Sequence, residues 1–452
     1  MSEQLQSSSG NIQSAQDQKV LNRLLATMSP LNSRERSYVA VLSLFGIAAL
    51  AAYIWQLKNG LSVTGMRNYF SWGVYIINFI FFIGVSMAGT LISAILRLTG
   101  AGWRSPITRL SEGITLFALL IAMPMVIIDM GRPDRLYELM VYGRVQSPIL
   151  WDIMSLTSYL IGSTIYLYLP LIPDIAILRD NASRFKPWRR KLYTAMAMGW
   201  KGTPAQHRRL DKAITIMAVA ILPVAVSIHT VTAWIFGLTL RPGWHSTIIG
   251  PDFVVGAVYS GIATVITAMF LFRHFLHLEE YLTKDHFRKL GALLLTFGFI
   301  YFYFTINEYI GSGYVNETSE QHLLAHIFAG PYTVPFWSMA VVGLLIPVLI
   351  LLIPRIRGNI GWITTAAMFV NVGMWLMRYI IVVPTLSAPF LPIPQWAHTI
   401  YTPTWVEWTI TAGAFTVFFI LYLAFSKLFP IISIWETLEE MKGPSHETSH
   451  GQ

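Results

Sequence analysis

The chain has 452 residues, of which 54% are hydrophobic and only 12% charged, with a mean hydropathy of +0.54 and a formal net charge of +9. A soluble domain carries about a quarter charged residues, so this composition excludes an ordinary soluble fold and places the chain in lipid. There is no cysteine, which removes disulfides, iron–sulfur ligation and thiol catalysis from this polypeptide and assigns any such centre to a partner.

The segment from Met1 to Ser33 is polar, rich in Ser and Gln, and lacks the short apolar core of a cleavable signal peptide. It reads as a flexible or partner-bound arm covering residues 1–36. A membrane helix needs about 20 mostly apolar residues. Continuous apolar runs of that length predict spans at Tyr38 to Lys58, Phe70 to Leu98, Arg109 to Met130, Ile149 to Asp174 and Lys212 to Thr239. Five more follow at Phe253 to Leu278, Arg288 to Gly311, Thr333 to Pro354, Trp362 to Pro384 and Trp405 to Phe429. The fold class is therefore an all-α integral membrane protein of about ten helices, with a membrane domain over 37–430 and a tail over 431–452.

If the side alternates from span to span, one face collects 25 of the 32 Lys and Arg residues and the other six, with Arg378 inside a span. Because the basic residues sit between apolar runs, the positive charge reads as a topology signal rather than as a nucleic-acid surface. The positive-inside rule then puts both termini in the cytoplasm.

An ionisable side chain within a span costs about 2.5 to 3.5 kcal/mol on insertion scales, so each is a functional candidate. Asp129, Asp152, His229, Glu308 and Arg378 all fall toward the non-cytoplasmic face. Each has a plainer explanation as well. Asp129 and Asp152 could cap helices or pair with Arg132 or Arg135, His229 could be a satisfied packing residue, and Arg378 calls for a partner such as Glu308 or an aspartate. Trp72 and Asn78 open the second span on the same face, where interfacial aromatic belts are common. Glu112, Asp174, Glu279 and Glu280 lie at cytoplasmic span ends, where they are either solvated or the mouth of an inner proton half-channel.

A two-haem cytochrome b needs paired histidines on two helices, and only His229 is deeply placed. His245, His322, His326 and His398 fall in outer loops. Phosphate-binding Gly-rich loops and HExxH patterns are absent. An apolar pocket with one His and one or two carboxylates near the lipid suits quinol deprotonation, with the electrons leaving to another subunit. Transport is the competing class, since Pro124 and Pro223 could break helices at mid-membrane, although the ionisable residues cluster outward.

Several stretches together resemble the NrfD/PsrC-like family: IIDMGRPDR (Ile127 to Arg135), SPILWDIMSLTSYL (Ser147 to Leu160), LIPDIAILRD (Leu171 to Asp180), SIHTVTAW with RPGWHSTI (Ser227 to Ile248), GPYTVPFW (Gly330 to Trp337), NVGMWLMRYIIVV (Asn371 to Val383) and YTPTWVEW (Tyr401 to Trp408). Within it they look most like the larger quinol-binding membrane subunit of bacterial alternative complex III. The resemblance runs from about Arg36 to Glu436 and implies two four-helix bundles plus two peripheral helices, without a redox cofactor. It implies quinol or menaquinol as substrate at an outer-face pocket, possible coupling to proton translocation, and a position in the lipid bilayer with no nucleic-acid partner. The implied partners are an iron–sulfur subunit of the molybdopterin-oxidoreductase type, multihaem cytochrome c subunits holding the haem, and a second NrfD-like membrane subunit. As alternatives it implies the quinone-interacting anchor of a molybdopterin oxidoreductase, or a sister subunit without catalytic role.

The family's pocket aspartate maps onto Asp152, and its histidine before the GRP segment is Asp129 here. A second acid after the SxHT segment is missing, with Trp234 and Ile235 in its place, and the glutamate expected beside Arg378 is Met377. The expected catalytic set is Asp129, Asp152 and His229, with Trp72, Asn78, Arg132, Glu308 and Arg378 binding the quinol.

Overall fold

A computed structural model describes residues 15–181, 184–244, 246–388 and 400–442. The chain is helical nearly throughout, and among the described residues ten helices are long and apolar enough to cross a membrane. All ten expected spans are present.

The helices are α1 (Ala15–Ala26), α2 (Ser33–Asn59), α3 (Val74–Leu98), α4 (Ser105–Asp129), α5 (Glu138–Val141), α6 (Pro148–Asp180), α7 (Pro187–Met196) and α8 (Pro204–Gly237). They continue as α9 (Ile249–Phe275), α10 (Lys284–Val315), α11 (Thr318–Phe328), α12 (Thr333–Trp337), α13 (Ile346–Leu352), α14 (Ile360–Ser387), α15 (Trp405–Leu428) and α16 (Ile434–Lys442). A π-helical stretch, Ser338–Leu345, joins α12 to α13 into one span.

Helix starts that lie outside the apolar runs are set by capping. Asn32 and Glu35 bond reciprocally, each main-chain N–H donating to the other's side chain at 2.8 Å, so α2 begins five residues before the apolar stretch does. Thr203 and Gln206 form the same box ahead of Pro204 and extend α8 into the basic loop.

Burial sorts the spans into layers. Helices α3, α4, α6 and α8 pack in a closed ring, and α9, α10, the 338–352 span and α14 form a second. Helix α3 is buried on nearly every side because it also packs on α9 and α14 of the second bundle. Helix α2 buries only Ala52 and Gln56, pairs with α15 beside the first bundle, and turns Leu44, Ile47 and Leu50 outward. An apolar exposed face of this kind belongs against lipid. In the second bundle Gly343 and Gly373 meet so closely that a Cβ on either would collide with the other's backbone, which brings the π-helical span onto α14.

At the end where α3 begins its last turn and α4 starts, Arg109 and Asp174 form an ion pair exposed by only 2% and 0%. Arg109 also donates to the carbonyls of Pro170 (3.0 Å) and Pro430 (3.1 Å), while Asp174 accepts the main-chain N–H groups of Ile434 and Trp435 at 3.0 and 2.9 Å. This clasp ties the segment after α15 under the first bundle. Within the polar arm, α1 buries Leu21, Leu24 and Leu25 and packs on α16, so the chain's own C-terminal helix is a partner of that arm.

Candidate functional site at the outer ends of the bundles

The end where α3, α6 and α9 begin and α4, α8 and α14 finish is the one the charge partition leads us to expect outside. The ionisable residues expected there occupy three separate stations.

The first station lies between α6 and α8. Asp152, one turn into α6, is 5% exposed and its Oδ1 accepts a hydrogen bond from Thr232 Oγ1 at 2.5 Å. Its other carboxylate oxygen accepts none among the described residues. On the same face of α8, His229 lies three residues before Thr232 and Phe236 four after it, as helical spacing requires. His229 Nδ1 lies 2.7 Å from the Ala225 carbonyl and Nε2 3.1 Å from that of Ile83 on α3. Both ring nitrogens are therefore taken up by main-chain oxygens, and a neutral imidazole can donate to only one of them. In this arrangement His229 fixes α8 against α3 and has no free nitrogen for a quinol hydroxyl, which departs from its expected direct role. Trp72 stacks on Trp244 at 5.7 Å and meets Phe236 edge-on at 5.6 Å, so it belongs to an aromatic cluster one turn above Thr232.

The second station lies where α2, α3, α4 and α15 converge. Asp129 is buried at the C-terminus of α4, and its Oδ1 has no hydrogen-bond partner. Tyr75 and Glu407 lie within electrostatic range. Tyr75 donates to Gln56 Oε1 at 2.6 Å, and Gln56 donates to the Ile128 carbonyl at 3.0 Å. Glu407, fully buried, accepts from Tyr401 Oη at 2.5 Å and from the main-chain N–H of Gly65 at 2.7 Å. Burial first, and then the Glu407 charge, push the Tyr401 hydroxyl far above its ordinary range, so it stays a neutral donor. Sequence reading assigned no site role to Gln56, Tyr75 or Glu407. Only Glu407 left a signal, as the acid three residues after Thr404 in a capping box.

The third station is in the second bundle. Ser246 donates to Glu308 at 2.5 Å, and Glu308 lines a cavity of about 60 Å³ with Asp252, Phe253, Tyr309 and Met377. Asp252 was missed because the apolar run starts at Phe253, which left it in a loop by sequence. It stands in the first turn of α9 with Oδ1 buried and without a partner. Arg378 is 2% exposed and lies 4.9 Å over the Phe253 ring, with Nη1 unpartnered. Among the described residues no carboxylate comes within 4.0 Å of it, so the expected pairing with Glu308 or an aspartate is not made. Asp252, His229 and Tyr301 lie within its electrostatic range.

Two expected ligands lie elsewhere. Asn78 is a brace, donating to Thr411 at 2.8 Å and accepting from Trp375 at 2.9 Å, which joins α3 to α15 and α14. Arg132 is exposed and bonded to Asp134 at 2.9 Å, a bond that holds the Asp134 carboxyl below its ordinary range. Arg135 approaches Glu138 at 3.9 Å. Neither arginine pairs with Asp129 or Asp152. His245 and His398 lie outside the described residues, and among those described no set of three His, Asp or Glu could hold a metal ion.

Residues 62–390 match the family described as Polysulphide reductase, NrfD. The chain belongs to that family. It is a multi-pass membrane protein, and its relatives are membrane subunits of oxidoreductase complexes. This NrfD-family chain is 27% identical to a protein provisionally assigned as a dimethyl sulfoxide reductase membrane subunit in Halobacterium salinarum, over 89% of this chain and 93% of that one. It is 24% identical to a selenate reductase subunit of Mesobacillus selenatarsenatis, over 90% and 97%. It is 22% identical to the Hdr-like menaquinol oxidoreductase integral membrane subunit of Archaeoglobus fulgidus, over 89% and 96%.

Proposed function

We propose that this NrfD-family chain is the quinone-interacting subunit of a membrane oxidoreductase complex, taking a quinol at the outer end of the first bundle and passing its electrons to a redox centre on a neighbouring subunit. The observation that carries the reading is Asp152, a buried carboxylate with one oxygen held by Thr232 and the other unbonded, below the Trp72–Phe236–Trp244 cluster. A quinol ring packs on such aromatic side chains, and its hydroxyl donates to the unbonded oxygen. Oxidation breaks two O–H bonds and releases two electrons and two protons. Asp152 receives one proton, the second leaves to water at the mouth of the site, and the electrons go to the partner; Asp129 belongs to the separate second station. The menaquinol named for the Archaeoglobus fulgidus relative supports that quinol class.

A buried polar column in the same bundle supports proton movement along it. Glu112 accepts from Ser93 at 2.6 Å, Ser93 lies 3.1 Å from Tyr166, Thr90 bonds Thr115 at 3.2 Å, and Tyr159 and Thr115 both donate to the Ser86 carbonyl. The column ends one turn of α3 from Ile83, which meets His229. The charge partition supports cytoplasmic termini and a quinol station on the opposite side.

The partner admits two readings. The ordered motifs support the arrangement of alternative complex III, with an iron–sulfur subunit, multihaem cytochromes c and a second membrane subunit. The names of the selenate and dimethyl sulfoxide reductase relatives favour a terminal reductase instead. Identifying the subunits that co-purify with this chain separates the two. For the site itself, Asp152→Asn in the purified complex is expected to cut quinol turnover by about a hundredfold with assembly intact, in line with a lost general base. Unchanged turnover refutes the reading.

A further inference from the structure

The basic loop after α6 builds a site that the quinol chemistry does not use. Between α1 and the start of α7 lies an open cavity of about 440 Å³. Three cations line it, Arg184, Lys186 and Arg189, and its apolar walls come from Leu25, Met28 and Trp188. None of the three cations has a carboxylate within 4.0 Å among the described residues, and the acids close by are already engaged: Asp180 with Arg179 at 2.8 Å and Glu280 with Arg23 at 2.5 Å. Arg184 is held by the neutral Asn22 Oδ1 at 2.7 Å, which fixes its position without cancelling its charge. Arg189 is steadied over the rings of Trp188 and Phe185 at 5.5 and 5.8 Å. No side chain caps α7, so the first turn at Lys186 and Trp188 adds a further partial positive charge.

The place of the cavity says which anion fits. Arg184 follows the last residue of the α6 span, Asp180, by four positions, and Trp188 is 52% exposed beside it. Amphipathic aromatic rings next to basic residues at the end of a span mark the headgroup layer. A soluble phosphate would need only the cations. A phospholipid also needs an apolar wall for the glycerol and first acyl carbons, and Leu25, Met28 and Trp188 provide it.

We propose that this cavity binds the phosphate of an anionic phospholipid in the cytoplasmic leaflet, with the headgroup on Arg184, Lys186 and Arg189 and its acyl end along α1. Bound there, the lipid joins α1 to the α6–α7 loop and holds the N-terminal arm at the membrane surface.

The test uses the full-length chain in its purified complex, stripped of lipid in a neutral detergent and supplied with phosphatidylglycerol, phosphatidylcholine or inorganic phosphate, with bound lipid counted by native mass spectrometry. Phosphatidylglycerol is expected to bind far more tightly than phosphatidylcholine, and each removed charge to cost about fivefold. The triple variant Arg184→Gln, Lys186→Gln, Arg189→Gln should therefore lose about a hundredfold in that preference while quinol turnover stays unchanged. If the triple variant fails to assemble, Lys186→Gln alone is expected to lose about fivefold. Equal retention of the two lipids, or an undiminished preference in the variants, overturns the proposal. Displacement of bound lipid by millimolar inorganic phosphate overturns the lipid assignment and leaves a site for free phosphate.

Discussion

Arg109 and Arg378 are buried to the same 2% exposure, and the protein treats them in opposite ways. Arg109 is engaged by Asp174, by two main-chain carbonyls and by Ser433, and only its Nε lacks a partner. Arg378 has an aromatic ring beneath it, an unpartnered Nη1 and no carboxylate in contact. The first arrangement spends a buried charge on architecture, since a guanidinium so fully bonded is not free to respond to a ligand. The second keeps a charge uncommitted between the two bundles, beside α3 at Gly84 and α9 at Gly256. An uncompensated buried charge is costly, so it belongs where function needs it.

The largest effect should come from breaking the satisfied pair. Arg109→Ala leaves Asp174 buried without its partner and frees the C-terminal segment, at a cost of about 3 to 5 kcal/mol. Chemical denaturation of the detergent-solubilised complex should register that loss, together with proteolytic release of the segment after α15. Arg378→Met removes a charge with no ion pair to lose, so its stability should stay within about 1.5 kcal/mol of the parent. A collapse as severe as that of Arg109→Ala would mean that Arg378 is architectural after all.

Next in size are changes in the polar column and at the Asp152 station. Glu112→Gln keeps the bond from Ser93 and removes the charge, so quinol turnover should be retained in detergent while proton uptake in proteoliposomes falls several-fold. Equal loss of both would place Glu112 in the electron chemistry instead of the proton column. Thr232→Val removes the one hydrogen bond on Asp152, at about 1 kcal/mol, and should slow quinol oxidation by about fivefold. A neutral Thr232→Val with an active Asp152 would detach the carboxylate from its proposed positioning.

The ten spans were legible because length and hydropathy decide them, and the structure starts α2 five and α8 eight residues ahead of the expected spans, where capping boxes at Asn32 and Thr203 act. The site was legible residue by residue and not as an assembly. Asp152 and Asp129 stood out because acids in apolar runs are expensive. Their separation into distinct stations depends on which helices face one another, and no periodicity in α4 or α6 contains that. Asp252 was lost to a boundary placed four residues after the helix begins at Ile249. Gln56 and Tyr75 carry no formal charge, so nothing in composition marked them, yet they bridge α2, α3 and α4 beside Asp129. Arg132 was drawn in by its nearness in sequence to Asp129, whereas Asp134, two residues on, holds it at the surface.

The most direct test of the account locates the quinone itself. A photoreactive menaquinone analogue, cross-linked in the intact complex and mapped by peptide sequencing, should label α6 and α8 around Asp152, Thr232 and Phe236. Labelling confined to the Asp252–Glu308 cavity of the second bundle, with α6 and α8 unmarked, contradicts it.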